Sequence, residues 1–168
     1  MPGPRVNPPA PALTTPAAPG SVSHMAEVTT QSVVVAAPVA TVMDVIADFD
    51  SYPDWAGAVR STDVLARTED GRGARVRFVL DAGMVKDTFE LVYTWAPDAN
   101  LVSWELVKGQ VQKAQRGSYS LRACEGGTEV TYRLSVELNI PMIGMFKRKA
   151  EKVITDTALR ELKKRVET

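Results

Sequence analysis

From residue 129 to residue 140 apolar and polar side chains alternate without a break. Val130, Tyr132, Leu134, Val136, Leu138 and Ile140 are interleaved with Glu129, Thr131, Arg133, Ser135, Glu137 and Asn139. A period of two with one polar face predicts an antiparallel strand whose sheet is covered on one side only. Glu27 to Val35, rich in Val and Thr, predicts a first strand. Runs bounded by turn residues predict five more between them: Val59 to Ala66, Ala74 to Asp81, Val85 to Trp95, Leu101 to Val107 and Lys113 to Arg122. The punctuation is consistent: Gly71-Arg72-Gly73, Ala82-Gly83, Pro97-Asp98-Ala99-Asn100, Lys108-Gly109 and Gly126-Gly127 each close a run.

Two other segments carry a helical period. After Pro38, which suits the first turn of a helix, Val39, Val42, Met43, Ile46 and Phe49 recur at spacings of three and four. Ser51 and Pro53 stop the helix there and leave room only for a short turn bearing Tyr52 and Trp55. After Pro141 a long helix runs from Met142 to Glu167, about 35 Å at 1.5 Å per residue, enough to cross a curved sheet. Ile143, Phe146, Ala150, Val153, Thr157 and Ala158, continued by Ile154, Leu162 and Val166, predict the face laid on the sheet. Lys147/Glu151, Lys152/Asp156, Asp156/Arg160 and Glu161/Arg165 are opposite-charge pairs four apart, expected on the wet side. The predicted class is α+β: one strand, two short helices, six antiparallel strands and a long helix, with the helices on one face of the sheet.

Composition narrows the chemistry. Lys+Arg and Asp+Glu both number 20, so no global field draws nucleic acid, and the basic run Lys147-Arg148-Lys149 reads as a solvated helix face. Residues 1–24 hold seven of the eleven prolines and no acid, which predicts a disordered leader ahead of a folded domain spanning 25–168. The one histidine, His24, falls in that leader, so the domain has no imidazole for a Ser-His-Asp or Cys-His system or a His-ligated metal. Cys124 sits in a polar turn without a base. Neither a metal nor a cofactor is expected. A single cysteine, and no apolar run near the roughly 18 residues a span requires, predict a soluble, cytoplasmic protein without stable membrane insertion.

The order of elements, with the motif "DFDSYPDW" at 48–55, the strand "GGTEVTYRLSVEL" at 126–138 and the closing "IPMIGMFKRKAEKVI" at 140–154, resembles the polyketide cyclase/dehydrase-like branch of the START/Bet v 1-type (SRPBCC) superfamily. The resemblance spans Met25 to Thr168. It implies a helix-grip: a curved antiparallel sheet of about seven strands wrapped around the C-terminal helix, with a cavity between them. Such cavities take lipids, sterols, quinones or polyketides, and only some members catalyse a reaction.

Within that frame Phe49, Tyr52 and Trp55 wall one end of the sheet, while Asp48, Asp50 and Asp54 flank the turn and face water. Parity along the strands puts Phe89, Tyr93, Trp104, Tyr119 and Tyr132 among candidate cavity residues, the tyrosines because a buried phenol needs a hydrogen-bond partner. Met142, Met145 and Phe146 are candidates at an entrance, and Ala150 and Val153 on the helix. The expected function is binding of an apolar small molecule, lipid or polyketide-like. The alternatives are a cyclase/dehydratase using the same cavity without metal or covalent nucleophile, and a protein-interaction or quinone/lipid-chaperone role.

Overall fold

The computed structural model describes residues 28–83, 86–140 and 144–168; the leader, Met142 and Ile143 lie outside them. The chain runs β1 (Thr29–Val35), α1 (Val39–Ala47), a 3-10 turn (Phe49–Ser51), α2 (Tyr52–Trp55), β2 (Val59–Arg67), β3 (Gly73–Asp81), β4 (Lys86–Trp95), β5 (Leu101–Gly109), β6 (Gln112–Cys124), β7 (Gly127–Leu138) and α3 (Gly144–Glu167). The strands make one antiparallel sheet in the order β1-β7-β6-β5-β4-β3-β2. Strands β2 to β7 form a meander of hairpins, and β1 closes it by pairing with β7 from Thr29↔Leu134 to Val35↔Thr128. The first two strands therefore lie at opposite edges, and α1 and α2 carry the chain between them. This is the helix-grip, with the sheet curved about α3.

Local sequence accounts for the crossing. Helix α1 buries Val42, Met43 and Ile46 completely or nearly so, a face worth about 1.5–3 kcal/mol per side chain. Phe49, on the adjoining turn, enters the core against Gly73, where a Cβ would lie 2.6 Å from its ring. The Thr62 hydroxyl donates to the Phe49 carbonyl at 2.7 Å, tying the turn to β2. Asp48, Asp50 and Asp54 are exposed, as their turn positions predict.

Helix α3 departs from its expected phase. Its second half behaves as read at Leu162, which is buried, and at Ala158 and Val166, which pack against the core; Leu159, not part of the predicted face, is buried with them. In its first half the polar side turns inward. Glu151 is 1% exposed, whereas Met145, Phe146 and Val153 are 70%, 59% and 58% exposed, and Ala150 and Ile154 are exposed as well. The described pairing of β1 with β7 ends at Thr29↔Leu134, and among the described residues the Val136 N–H further along β7 has no strand partner on that side. Glu151 takes its place: Oε2 accepts from Val136 N at 2.7 Å and Oε1 from the Thr29 hydroxyl at 3.3 Å. The Lys147 ammonium stands 3.5 Å away. A paired, hydrogen-bonded carboxylate tolerates burial, and the apolar stripe of this half is left outside.

Candidate ligand-binding site

The inward faces of β3 to β7 carry a continuous aromatic surface. Register makes it. Tyr93 stands opposite Trp104 across β4 and β5, Trp104 opposite Gly117 across β5 and β6, and Tyr119 opposite Tyr132 across β6 and β7. Side chains directly opposed on one face of an antiparallel pair touch. Tyr119 and Tyr132 stack with ring centroids 4.6 Å apart and planes 17° from parallel. The Trp104 indole lies 5.3 Å from Tyr119 and 5.6 Å from Tyr132, and Tyr93 lies 5.8 Å beyond it. Phe49 continues the surface at 4.8 Å from Tyr93, and Phe78 stacks on Phe89 at 5.4 Å.

Gly117 permits this arrangement. A Cβ there would lie 2.2 Å from Trp104 Cζ2, so the indole rests flat on the backbone of β6 only because that position has no side chain. Trp104 is further fixed by a polar chain. Its Nε1 donates to Gln115 Oε1 at 2.8 Å, Gln115 Nε2 donates to Gln112 Oε1 at 2.5 Å, and Gln112 Nε2 donates to Asp87 Oδ2 at 3.1 Å. Asp87 is buried, and its carboxylate also accepts the backbone N–H groups of Gln110 and Val111 at 3.0 Å and of Gln112 at 3.2 Å. Four donors on one carboxylate make Asp87 the clamp of the β5–β6 turn.

The phenols differ in how they are satisfied. Tyr52 donates to the Ile46 carbonyl at 2.5 Å. The hydroxyls of Tyr93, Tyr119 and Tyr132 have no hydrogen-bond partner among the described residues, yet no buried side-chain oxygen or nitrogen there is sealed off unpaired. Those three hydroxyls therefore each keep a small exposure to a water-sized molecule. Burial holds all four phenols well above the usual tyrosine range. Mutual repulsion adds to this: ionised Tyr132 would raise both Tyr93 and Tyr119, and ionised Tyr93 and Tyr132 would raise Tyr52. The groups thus converge on one region, where they are neutral donors.

Of the candidates read from the sequence, Tyr52, Phe89, Tyr93, Trp104, Tyr119 and Tyr132 are gathered on this surface. Trp55 touches Tyr52 at 4.9 Å but also lines an outer groove of about 290 Å³ with Thr41, Asp44, Val45, Asp48, Ser51 and Arg165. Met145, Phe146, Ala150 and Val153 are not brought to it; they lie on the exposed side of α3. Met142 lies outside the described residues. The sequence reading missed Asp87, Gln112 and Gln115. Asp87 shares the parity of Phe89 and Tyr93 and was legible. The glutamines were not, because a register shift between Gln112 and Ala114 brings both to the same side. Among the described residues no cluster of His, Cys, Asp or Glu could hold a metal ion, and no helix is long and apolar enough to cross a membrane.

Residues 25–167 match the family described as polyketide cyclase / dehydrase and lipid transport. The chain belongs to this polyketide cyclase/dehydrase family. Solved structures share its fold. A START superfamily protein from Mycobacterium smegmatis is 23% identical, with a TM-score of 0.78 over 83% of this chain and 97% of that one. The Zhui aromatase/cyclase from Streptomyces sp. R1128 is 14% identical, with a TM-score of 0.71 over 84% and 93%. A protein from Thermus thermophilus is 24% identical, with a TM-score of 0.69 over 83% and 97%. At these identities the likeness is one of fold. No curated protein matches the chain. Family and fold together fit ligand binding or a polyketide cyclase role.

Proposed function

We propose that this family member binds an apolar, largely aromatic or lipid-like small molecule against the inner face of β4 to β7, between the sheet and α3. The observation that carries this reading is the unpartnered hydroxyls of Tyr93, Tyr119 and Tyr132 set in an otherwise apolar, aromatic surface. A packed core has no use for unpartnered phenols, whereas pockets for small molecules combine apolar walls with a few convergent polar groups. The state of the polar groups on this surface favours binding over proton transfer: the phenols are held neutral, and the Asp87 oxygens are already occupied by four N–H donors. A second reading, cyclisation of a poly-ketone, is favoured by the same convergence of neutral O–H donors, which would polarise a ligand carbonyl and fix the fold of the chain that carries it.

Native mass spectrometry of freshly purified protein tests the binding reading. The expected result is a mass above that of the chain which disappears on denaturation, and which Trp104→Ala fails to retain. A bare mass, together with no uptake of added aromatic or fatty-acyl probes, would overturn it.

A further inference from the structure

We propose that the first half of α3 is a docking surface for an anionic lipid membrane, on which the helix lies without crossing it. Occupancy of this surface is separate from that of the concave face, because its side chains point away from the sheet. Among the described residues the most exposed large apolar side chains are Met145, Ile140, Phe146 and Val153, at 70%, 62%, 59% and 58%. All of them lie in the first turns of this one helix or just before it in the chain. Ala150 and Ile154 are exposed with them. Phe146, Ala150 and Val153 recur at spacings of four and three, so they form one stripe along the helix, with Met145 and Ile154 at its borders. Exposed apolar residues scattered singly are ordinary, whereas a contiguous patch marks a contact surface. Beyond Ile154 the helix exposes no large apolar side chain.

Charge identifies the occupant. The chain as a whole balances 20 basic against 20 acidic residues, yet between Gly144 and Ile154 stand Lys147, Arg148, Lys149 and Lys152 against a single acid, Glu151. That acid is buried against Val136 and Thr29, with Lys147 drawn in beside it at 3.5 Å. The charges left outside on these turns are those of Arg148, Lys149 and Lys152, and the next outward acid is Asp156, 3.0 Å from Lys152 at the edge of the patch. Lys149 stands beside both Phe146 and Val153, three residues after one and four before the other. An apolar stripe set among cations matches a bilayer surface. The stripe enters the boundary between headgroups and acyl chains, while the long basic side chains carry their charges up to the anionic headgroups. A purely apolar partner would instead strip water from those cations and leave them unpaired. Contact is confined to the membrane surface, since no helix among the described residues is long and apolar enough to cross.

Co-sedimentation of the full chain with vesicles tests this, using phosphatidylcholine alone and phosphatidylcholine with about 30% phosphatidylserine. The expected result is binding at least about tenfold tighter to the serine-containing vesicles. That binding should weaken at least about fivefold between about 0.1 M and about 1 M salt, as the screening length falls from about 10 Å to about 3 Å. Lys149→Gln/Lys152→Gln removes charge and Phe146→Ser/Val153→Ser removes the stripe. Each should lower affinity at least about tenfold with an unchanged circular dichroism spectrum, because all of these residues are exposed. Arg116→Gln/Arg133→Gln takes the same charge from the outer face of β6 and β7 and should alter binding by less than about twofold. Equal binding to both vesicles, binding to neither, or a loss in this control as large as in the lysine variant would overturn the proposal. A dimer in sedimentation velocity that Phe146→Ser/Val153→Ser dissociates would assign the stripe to a second copy of the chain and overturn it equally.

Discussion

Replacing Gly117 by alanine places a methyl carbon 2.2 Å from Trp104 Cζ2, 2.3 Å from Cε2 and 2.6 Å from Nε1. The obstruction is the rigid body of an indole, so the side chain has to swing off the strand. That movement breaks the 2.8 Å bond from Nε1 to Gln115 and separates the ring from Tyr93, Tyr119 and Tyr132. Overpacking of this kind costs about 1–3 kcal/mol, and the lost hydrogen bond adds about 1 kcal/mol. Removing a strand glycine returns about 0.5–1 kcal/mol of backbone entropy. The net expectation is a loss of about 1–3 kcal/mol, or a fall in Tm of about 3–9 °C for a domain near this size. Urea unfolding at constant m-value is the assay. A second background isolates the cause: in Trp104→Leu, where nothing lies on residue 117, the same substitution should cost less than about 0.5 kcal/mol or even stabilise, giving a coupling of at least about 1 kcal/mol. Equal cost in both backgrounds, or no cost in either, would refute the claim that Gly117 exists to seat the indole.

The unexpected phase of α3 predicts opposite outcomes at adjacent positions. Glu151→Ala, which strands the Val136 N–H and leaves Lys147 without its 3.5 Å partner, should destabilise by about 1–3 kcal/mol, with Glu151→Gln recovering part of the loss. Ala150→Trp, on the exposed side, should stay within about 0.5 kcal/mol of the native chain; both are read by chemical unfolding. The buried phenols set an alkaline limit. Their pKa values are raised on folding, so the unfolded chain releases protons first; stability is level below about pH 10 and falls above it, by up to about 1.4 kcal/mol per pH unit for each such residue. Thermal melts of Tyr119→Phe and Tyr132→Phe from pH 8 to pH 11 should show a shallower fall than the native chain, and an unchanged slope would mean that the phenols ionise freely.

Much of this architecture could be read from periodicity. The alternation through Val130, Tyr132 and Leu134 marks β7 and its inward face, the spacing of Val42, Met43 and Ile46 marks α1, and the parity of Phe89 and Tyr93 gathers them on one side of β4. Sequence failed where a residue's environment depends on a distant chain end. Glu151 looks like half of an ordinary surface pair with Lys147, and only its bonds to Thr29, 122 residues away, and to the Val136 N–H make it a buried carboxylate. Phe146 and Val153 lie exposed in the same half of α3. Likewise no sequence pattern places Trp104 over Gly117, because that pairing is fixed by register between β5 and β6, nor does it bring Gln115 inside, which the irregularity after Gln112 does.

The proposed binding role depends on where an apolar ligand lies. Carbon-13 labelling of the Tyr, Trp and Phe rings, with NMR titration of the full chain by fluorenone, reports that position directly. The resonances of Trp104, Tyr119 and Tyr132 should shift together and saturate, while Phe146 on the exposed side of α3 stays fixed. Saturable shifts at Phe146, with the three interior rings unmoved, would place binding on the outer helix and contradict a ligand site on the concave aromatic face.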